Sequence, residues 1–530
     1  MILTRASVAI SLLISFTAFG QVQRPLQGER AETVLSLTAN RIGAINALFK
    51  EMDKTDVPGC AVGVVQKGRL VFGRGYGMAN LEHGIPLDTR SIFRMGSVGK
   101  QFTAGVVAQL ALDRQVALDA DIRTYLPELP DFGEPVTVRQ LLHHTSGYRD
   151  YFTLMDLRGS RWEEDYFDDP EIYRLLTLQQ ELNFEPGEQF MYSNTGYFLL
   201  SQLVLRVTGK SLAEVAEERI FGPLGMGSAH YHDHWRRIVP GRATGYSQAE
   251  LYRLEGGKSR IYHGTWPGYV PGAWASGRDP FNGAQWVVNV TTLPMIGDGG
   301  VFSSVEDMVP WVSHLIKGGS AWHDLMLSRG VLDSGEILPY GFGLEHGEQG
   351  GLRTIGHSGA FVGFNAGVQT WPEAGTGVIV LCNRSDVDAM GLAEEVGAVG
   401  LANRMKNVDK ENAPAQGPEL KSETAAMDVF LKQGQQRIFL GKYYSPELEV
   451  VWELLEVNGA LRLRIGNRDA GVLRAREPNL LELEGGMTVE KLPLSLRFEG
   501  SSGAHTPSFL VDADRVRNLR FERVDNNKLK

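Results

Sequence analysis

The stretch GCAVGVVQKGRLVFGRGYG, Gly59–Gly77, decides the fold. Its apolar and β-branched runs, Cys60 to Gln66 and Leu70 to Tyr76, flank Lys67-Gly68, the signature of a tight β-hairpin. Far downstream, TIGHSGAFVGFNAGVQTWPEAGTGVIVLCNRS (Thr354–Ser385) reads as three more strands, and a helical run follows from Asp386 to about Arg404. The hairpin and the late strands must meet for either to bury its apolar face. Between them, helical periods alternate with Gly/Pro loops, and a helix-like opening (around Glu32 to Lys54) comes first. Strands at both ends with helices between predict one α/β domain whose sheet the late strands complete.

The ends of the chain read differently. Residues 1–20, MILTRASVAISLLISFTAFG, combine one cation, a short apolar run and a small-residue ending, the layout of a cleaved secretory signal. An uncleaved N-terminal anchor is the alternative, although the run is shorter than the roughly 20 residues a membrane span needs. Residues 405–424, MKNVDKENAPAQGPELKSET, are polar and proline-bearing, as in a linker. Beyond it, FLGKYYSPELEVVWELLEVNGALRLRIGNRDAGVLRAREPNLLELEGG (Phe439–Gly486) alternates short β-like runs with Asn-Gly and Gly-Gly turns. Residues 425–530 therefore read as a small all-β, barrel-like domain, after a main domain over 30–404.

Composition narrows the function. A net charge of −10 argues against nucleic acid or an anionic membrane surface as partner. Two cysteines, Cys60 and Cys382, exclude a disulfide scaffold. One disulfide and two buried thiols both fit them.

In RMGSVGKQF (Arg94–Phe102), Ser97 stands three residues before Lys100. Val98, Phe102, Val106 and Leu110 recur every four residues, so a buried helix face begins here. That spacing puts the hydroxyl and the ammonium on one side of the helix, near its positive end. A serine hydroxyl needs a neighbouring base or cation to lose its proton, and a desolvated lysine supplies either. Alone, the pair is equally a helix cap beside a surface lysine. It is not alone: Tyr192-Ser193-Asn194 and His357-Ser358-Gly359 follow in order.

This S-x-x-K, Y-x-N and H-x-G series resembles the serine β-lactamase and DD-peptidase superfamily. The most similar branch holds class C β-lactamases, D-alanyl-D-alanine carboxypeptidases, D-aminopeptidases and related esterases. LLHHTSG (Leu141–Gly147), FGPLGM (Phe221–Met226) and GDGGVFSSVEDM (Gly297–Met308) add to the likeness, which covers roughly residues 40 to 400. The resemblance implies an antiparallel sheet flanked by helices, an all-helical subdomain, and an appended lipocalin-like barrel. It implies that Ser97 is acylated, that Lys100 assists, and that Tyr192 is the general base. Asn194 would hold Lys100 and the substrate amide. The backbone N–H groups of Ser97 and Ala360, beside Gly359, would form the oxyanion hole. A free tyrosine is only about 0.1% ionised at pH 7. Lys100 and a protonated His357 are expected to bring Tyr192 towards neutrality. His357 stands where enzymes specialised for β-lactams usually carry lysine, which points away from a β-lactamase as the main activity.

HYHDH (His230, His232, His234) resembles a zinc cluster but is one residue short of the usual spacing, so no metal or other cofactor is expected. His143 and His144 read as part of a structural turn, and the acidic run at 163–169 as a solvated loop. The aromatic-rich segment from Gly241 to Gly300, with Trp266 and Trp274, suits either a cleft wall or a packed surface subdomain. The expectation is a secreted or periplasmic serine hydrolase that cleaves amide bonds of small peptides through an acyl-enzyme at Ser97. A small-acyl esterase, a β-lactamase, and a sensor that stays acylated are the alternatives. The expected partner is a small-molecule or peptide substrate, and the oligomeric state is left open.

Overall fold

The computed structural model describes residues 37–160, 165–248, 285–405, 435–466, 468–484, 486, 493–500 and 506–524. Residues 1–20 (read as a secretory signal), Trp266, Trp274 and, but for Met405, all of 405–424 (read as a linker) lie outside them. The early hairpin forms as read, with β1 (Cys60–Gln66) and β2 (Arg69–Tyr76) joined through Lys67 and Gly68, both at positive φ. The late strands are β3 (Glu345–Gln349), β4 (Leu352–Phe361), β5 (Phe364–Trp371) and β6 (Thr376–Cys382). Together they make a six-stranded antiparallel sheet in the order β3-β4-β5-β6-β1-β2. β1 and β6 are buried along their whole length, which is why both read as unbroken apolar runs rather than alternating ones.

Register explains the cysteines. Cys60 lies directly opposite Cys382 across the β1–β6 pair, and the two are bonded. Cys60, Val62 and Val64 point to one face, against Ile45 of helix α1 (Ala39–Leu48). Ala61, Val65, Ile379 and Leu381 face the other way, towards the larger core.

That core also holds helix α2 (Lys100–Leu112), α3 (Tyr151–Arg158), α4 (Asn194–Thr208) and α5 (Val305–Lys317). Helix α6 (Ala389–Leu401) lies with α1 on the opposite face. α2 is buried all round from Lys100 to Ala108, so the four-residue stripe is one side of a fully enclosed helix. Of the acidic run at 163–169, read as a loop, Asp165–Asp168 are non-helical and Asp169 opens a helix, while 163 and 164 lie outside the described residues. Asp168 caps a helix over Asp169–Thr177, and Asp169 takes a hydrogen bond from Gln202 at 3.3 Å.

The C-terminal strands are β7 (Gly441–Ser445), β8 (Val450–Val457), β9 (Ala460–Ile465), β10 (Arg468–Glu477), β11 (Leu480–Leu483), β12 (Leu494–Glu499), β13 (Ser508–Ala513) and β14 (Val516–Val524). They close into an eight-stranded barrel, β14 pairing back onto β7. Alternate residues such as Trp452, Leu454, Leu463, Phe509 and Phe521 fill its interior. Among the described residues no helix is long and apolar enough to cross a membrane.

Candidate active site

Ser97 occupies a 3₁₀ turn, Gly96–Gly99, just ahead of α2 rather than in the first α-helical turn. The turn packs against β4 so closely that side chains are excluded. A Cβ on Gly359 would lie 2.1 Å from the Met95 carbonyl oxygen and 3.0 Å from the Ser97 nitrogen. Gly96 has φ +52°, and a Cβ there would lie 2.8 Å from the Ala360 nitrogen. These two glycines set the backbone of Ser97 against that of Gly359 and Ala360. Ala360 is exposed and Ser97 partly so, which opens this edge to a ligand.

Lys100 is wholly buried at the start of α2. Its ammonium donates to Ser97 Oγ at 3.2 Å, Asn194 Oδ1 at 2.8 Å and the Asp298 carbonyl at 2.7 Å. Asn194 is the first residue of α4, so one amine joins two helices and the loop before the strand Val301–Ser303. Tyr192, two residues before α4, lays its ring under the ammonium, 4.8 Å from Lys100 Nζ to the ring centre. Its hydroxyl has no hydrogen-bond partner among the described residues. A serine and a buried lysine from one short stretch thus lie beside an orphaned phenol brought in from a distant one.

Residues 45–401 match the family model described as Beta-lactamase. The chain belongs to the beta-lactamase family. It is 29% identical over 372 residues to a D-aminopeptidase of Gluconobacter oxydans, covering 69% of this chain and 64% of that protein. It therefore spans less than two thirds of the length of this curated relative. In fold it is similar to an octameric penicillin-binding protein homologue from Pyrococcus abyssi (22% identity, TM-score 0.56, 91% of this chain and 100% of that one). It is similar also to D-amino acid amidase from Ochrobactrum anthropi SV3 (21% identity, TM-score 0.54, 69% and 100%).

Electrostatics corrects one expectation about this beta-lactamase-family site. Burial pushes the Tyr192 phenol well above its ordinary value, against the downward pull of the nearby Ser97 hydroxyl. The two expected cations do not reverse it. Lys100 sits over the ring face rather than beside the oxygen. His357 is neutral, because burial lowers its pKa. Its Nδ1–H donates to the Ser358 carbonyl at 2.6 Å, which leaves Nε2 to accept from the Tyr340 hydroxyl at 2.9 Å. The group poised near neutrality is Lys100, which burial lowers to about 7 against the upward pull of Asp298 and Asp150.

Several contributors were not legible as site residues. Asp298 is buried near Lys100, and its carboxylate accepts from Tyr151 at 3.0 Å. It lies in GDGG, a phrase that marked the family but not a role. His144, read as part of a turn, packs its ring 4.2 Å from that of Tyr192 and accepts the Ser193 N–H at 3.1 Å. Asp150 caps α3 and takes the Asn194 N–H at 2.6 Å. Two of the HYHDH histidines serve packing, and His234 is exposed. His230 and His232 both lie against Phe302, and Arg94 and Arg242 help burial to hold His232 down to about 3. That cationic setting disfavours a metal ion, and among the described residues no group of three or more candidate ligands assembles.

Proposed function

We propose that this chain is a serine hydrolase that cleaves the amide bond after a D-amino acid residue by way of an acyl-enzyme at Ser97. The observation that carries the reading is the buried Lys100 ammonium, held 3.2 Å from Ser97 Oγ in a setting that favours the neutral amine. The neutral amine accepts the Ser97 proton as Oγ attacks the carbonyl. The backbone N–H groups of Ser97 and Ala360 receive the oxyanion. With its Oδ1 committed to Lys100, Asn194 has its amide N–H₂ for the substrate carbonyl. A phenol that stays protonated suits amide cleavage, because the departing amine must gain a proton. Tyr192 gives that proton and takes one back from the water that enters in the amine's place, while Lys100 returns its own to Ser97 Oγ. Water then repeats the sequence in reverse to release the acid.

The D-residue rests on the Gluconobacter relative named D-aminopeptidase and on the neutral His357, which offers no cation for a β-lactam carboxylate. We place the working enzyme outside the cytoplasm. The signal-like residues 1–20 and the Cys60–Cys382 bond support this, since such bonds persist in oxidising compartments. The test is a panel of D- and L-aminoacyl anilides, nitrophenyl esters and a fluorescent penicillin, run with the full chain and with Ser97→Ala. Turnover of D-anilides in preference to L, lost in the variant, supports the proposal. Ester-only turnover, or a stable penicillin adduct without turnover, contradicts it.

A further inference from the structure

We propose that the barrel is a working part of the catalytic centre, with Arg515, on the turn between β13 and β14, as the positioning residue for the Tyr192–Asn194 loop. The inference rests on the reading of Ser97 and Lys100 given above. Arg149, just before α3, is fully buried and pairs with Glu447 of the barrel, which is 3% exposed. Arg149 also donates to the carbonyl oxygens of Arg517 at 3.1 Å and Asn518 at 3.3 Å. Asn183 donates to the Arg515 carbonyl at 2.9 Å and accepts the Arg517 N–H at 2.8 Å. The Asp150 N–H donates to the Arg515 carbonyl at 3.3 Å. The β13–β14 turn is thereby fixed at its backbone to the segments that flank the site.

The side chain extends this link inward. Arg515 Nη1 lies 3.3 Å from Asp150 Oδ2, and its Nε donates to Asp514 at 3.0 Å. Its guanidinium carbon is 6.0 Å from the centre of the Tyr192 ring. Asp150 is fully buried, and the same Oδ2 takes the Asn194 N–H. Asn194 in turn holds Lys100, and Lys100 reaches Ser97. One continuous chain of polar contacts runs from the barrel to the nucleophile. Removing Arg515 leaves a buried carboxylate without its cation, beside the N–H that anchors the Tyr192–Asn194 loop.

The charge also acts at Lys100. Facing that amine are Asp298 before the strand Val301–Ser303, Asp150 at the start of α3, and Arg515 from the barrel. Tyr192 and Tyr197 meet it from the α4 region. His144 and His357 are near it, and burial keeps both neutral. The two aspartates favour the ammonium and Arg515 opposes them. Without Arg515, Lys100 holds its proton to higher pH and less of the neutral amine serves Ser97 at neutral pH.

The experiment compares the full chain with Arg515→Met, which keeps length without charge, and Arg515→Lys, which keeps charge. A fluorophosphonate probe forms a phosphorus–oxygen bond to Ser97 and expels fluoride, so its rate against pH reads the serine without a known substrate. Melting temperature is measured alongside. Arg515→Met is expected to label about tenfold more slowly at pH 7, its acid limb displaced upward by about half to one pH unit. Arg515→Lys should restore part of the rate and most of the displacement. Unchanged limbs in both variants overturn the proposal. So does an equal loss in both that follows a lowered melting temperature, since Arg515 would then serve stability alone. A wild-type chain whose Ser97 takes no label removes the functional reading, and this inference with it.

Discussion

Tyr192 and Lys100 divide the work between them by where each sits. The lysine is wholly enclosed and titrates near neutrality, whereas the phenol is enclosed and keeps its proton. Tyr192→Phe should therefore slow hydrolysis of a D-aminoacyl anilide by about 10²- to 10⁴-fold, the usual contribution of a positioned proton donor. A nitrophenyl ester, whose leaving group needs no proton, should lose far less. Steady-state kinetics on the two substrates checks the difference. The sequence singled out Ser97, Lys100, Tyr192, Asn194 and His357 because their types and order formed a pattern, and the fold brings them together. Protonation states were not legible. They depend on burial and on which atom of a ring a neighbour meets, as Lys100 over the Tyr192 face illustrates. Asp150 and Arg515 left no signal, since each acts through a contact distant in the chain.

At the scale of elements, β1 and β6 carry the fold. The hairpin and three of the late strands form where their apolar runs were read, whereas the polar edge strand β3 (Glu345–Gln349) lacks such a run and was not foreseen. The mutual register of β1 and β6 was open in the sequence, and with it the cysteine pairing. The register Cys60↔Cys382 resolves it, closing the chain across 322 residues. The Cys60→Ser, Cys382→Ser double variant should lose about 2–4 kcal/mol of stability without loss of the site geometry. Urea unfolding with and without reductant measures this. A denatured, unreduced wild-type chain should show no free thiol.

For the whole molecule, the sheet core and the barrel interior form one continuous apolar cluster. The barrel was legible as short β-like runs with turn residues, without their number, but its docking was not, because the buried pair joins Arg149 to a glutamate across the linker. Glu447→Ala strands a fully buried guanidinium and should cost about 3–5 kcal/mol, far more than an exposed pair such as Arg206–Glu128. Denaturant titration of Glu447→Ala beside Glu128→Ala makes the comparison.

The central claim is that a buried amine of lowered pKa activates Ser97. Rapid mixing with a chromogenic ester, followed by intact mass and peptide mapping, measures acylation as a function of pH. The account predicts one acyl group on Ser97, with a rate that falls as pH drops through about 7, where Lys100 takes up its proton. Lys100→Met should remove that limb together with most of the rate. Acylation elsewhere, or on Ser97 at a rate indifferent to Lys100, contradicts it.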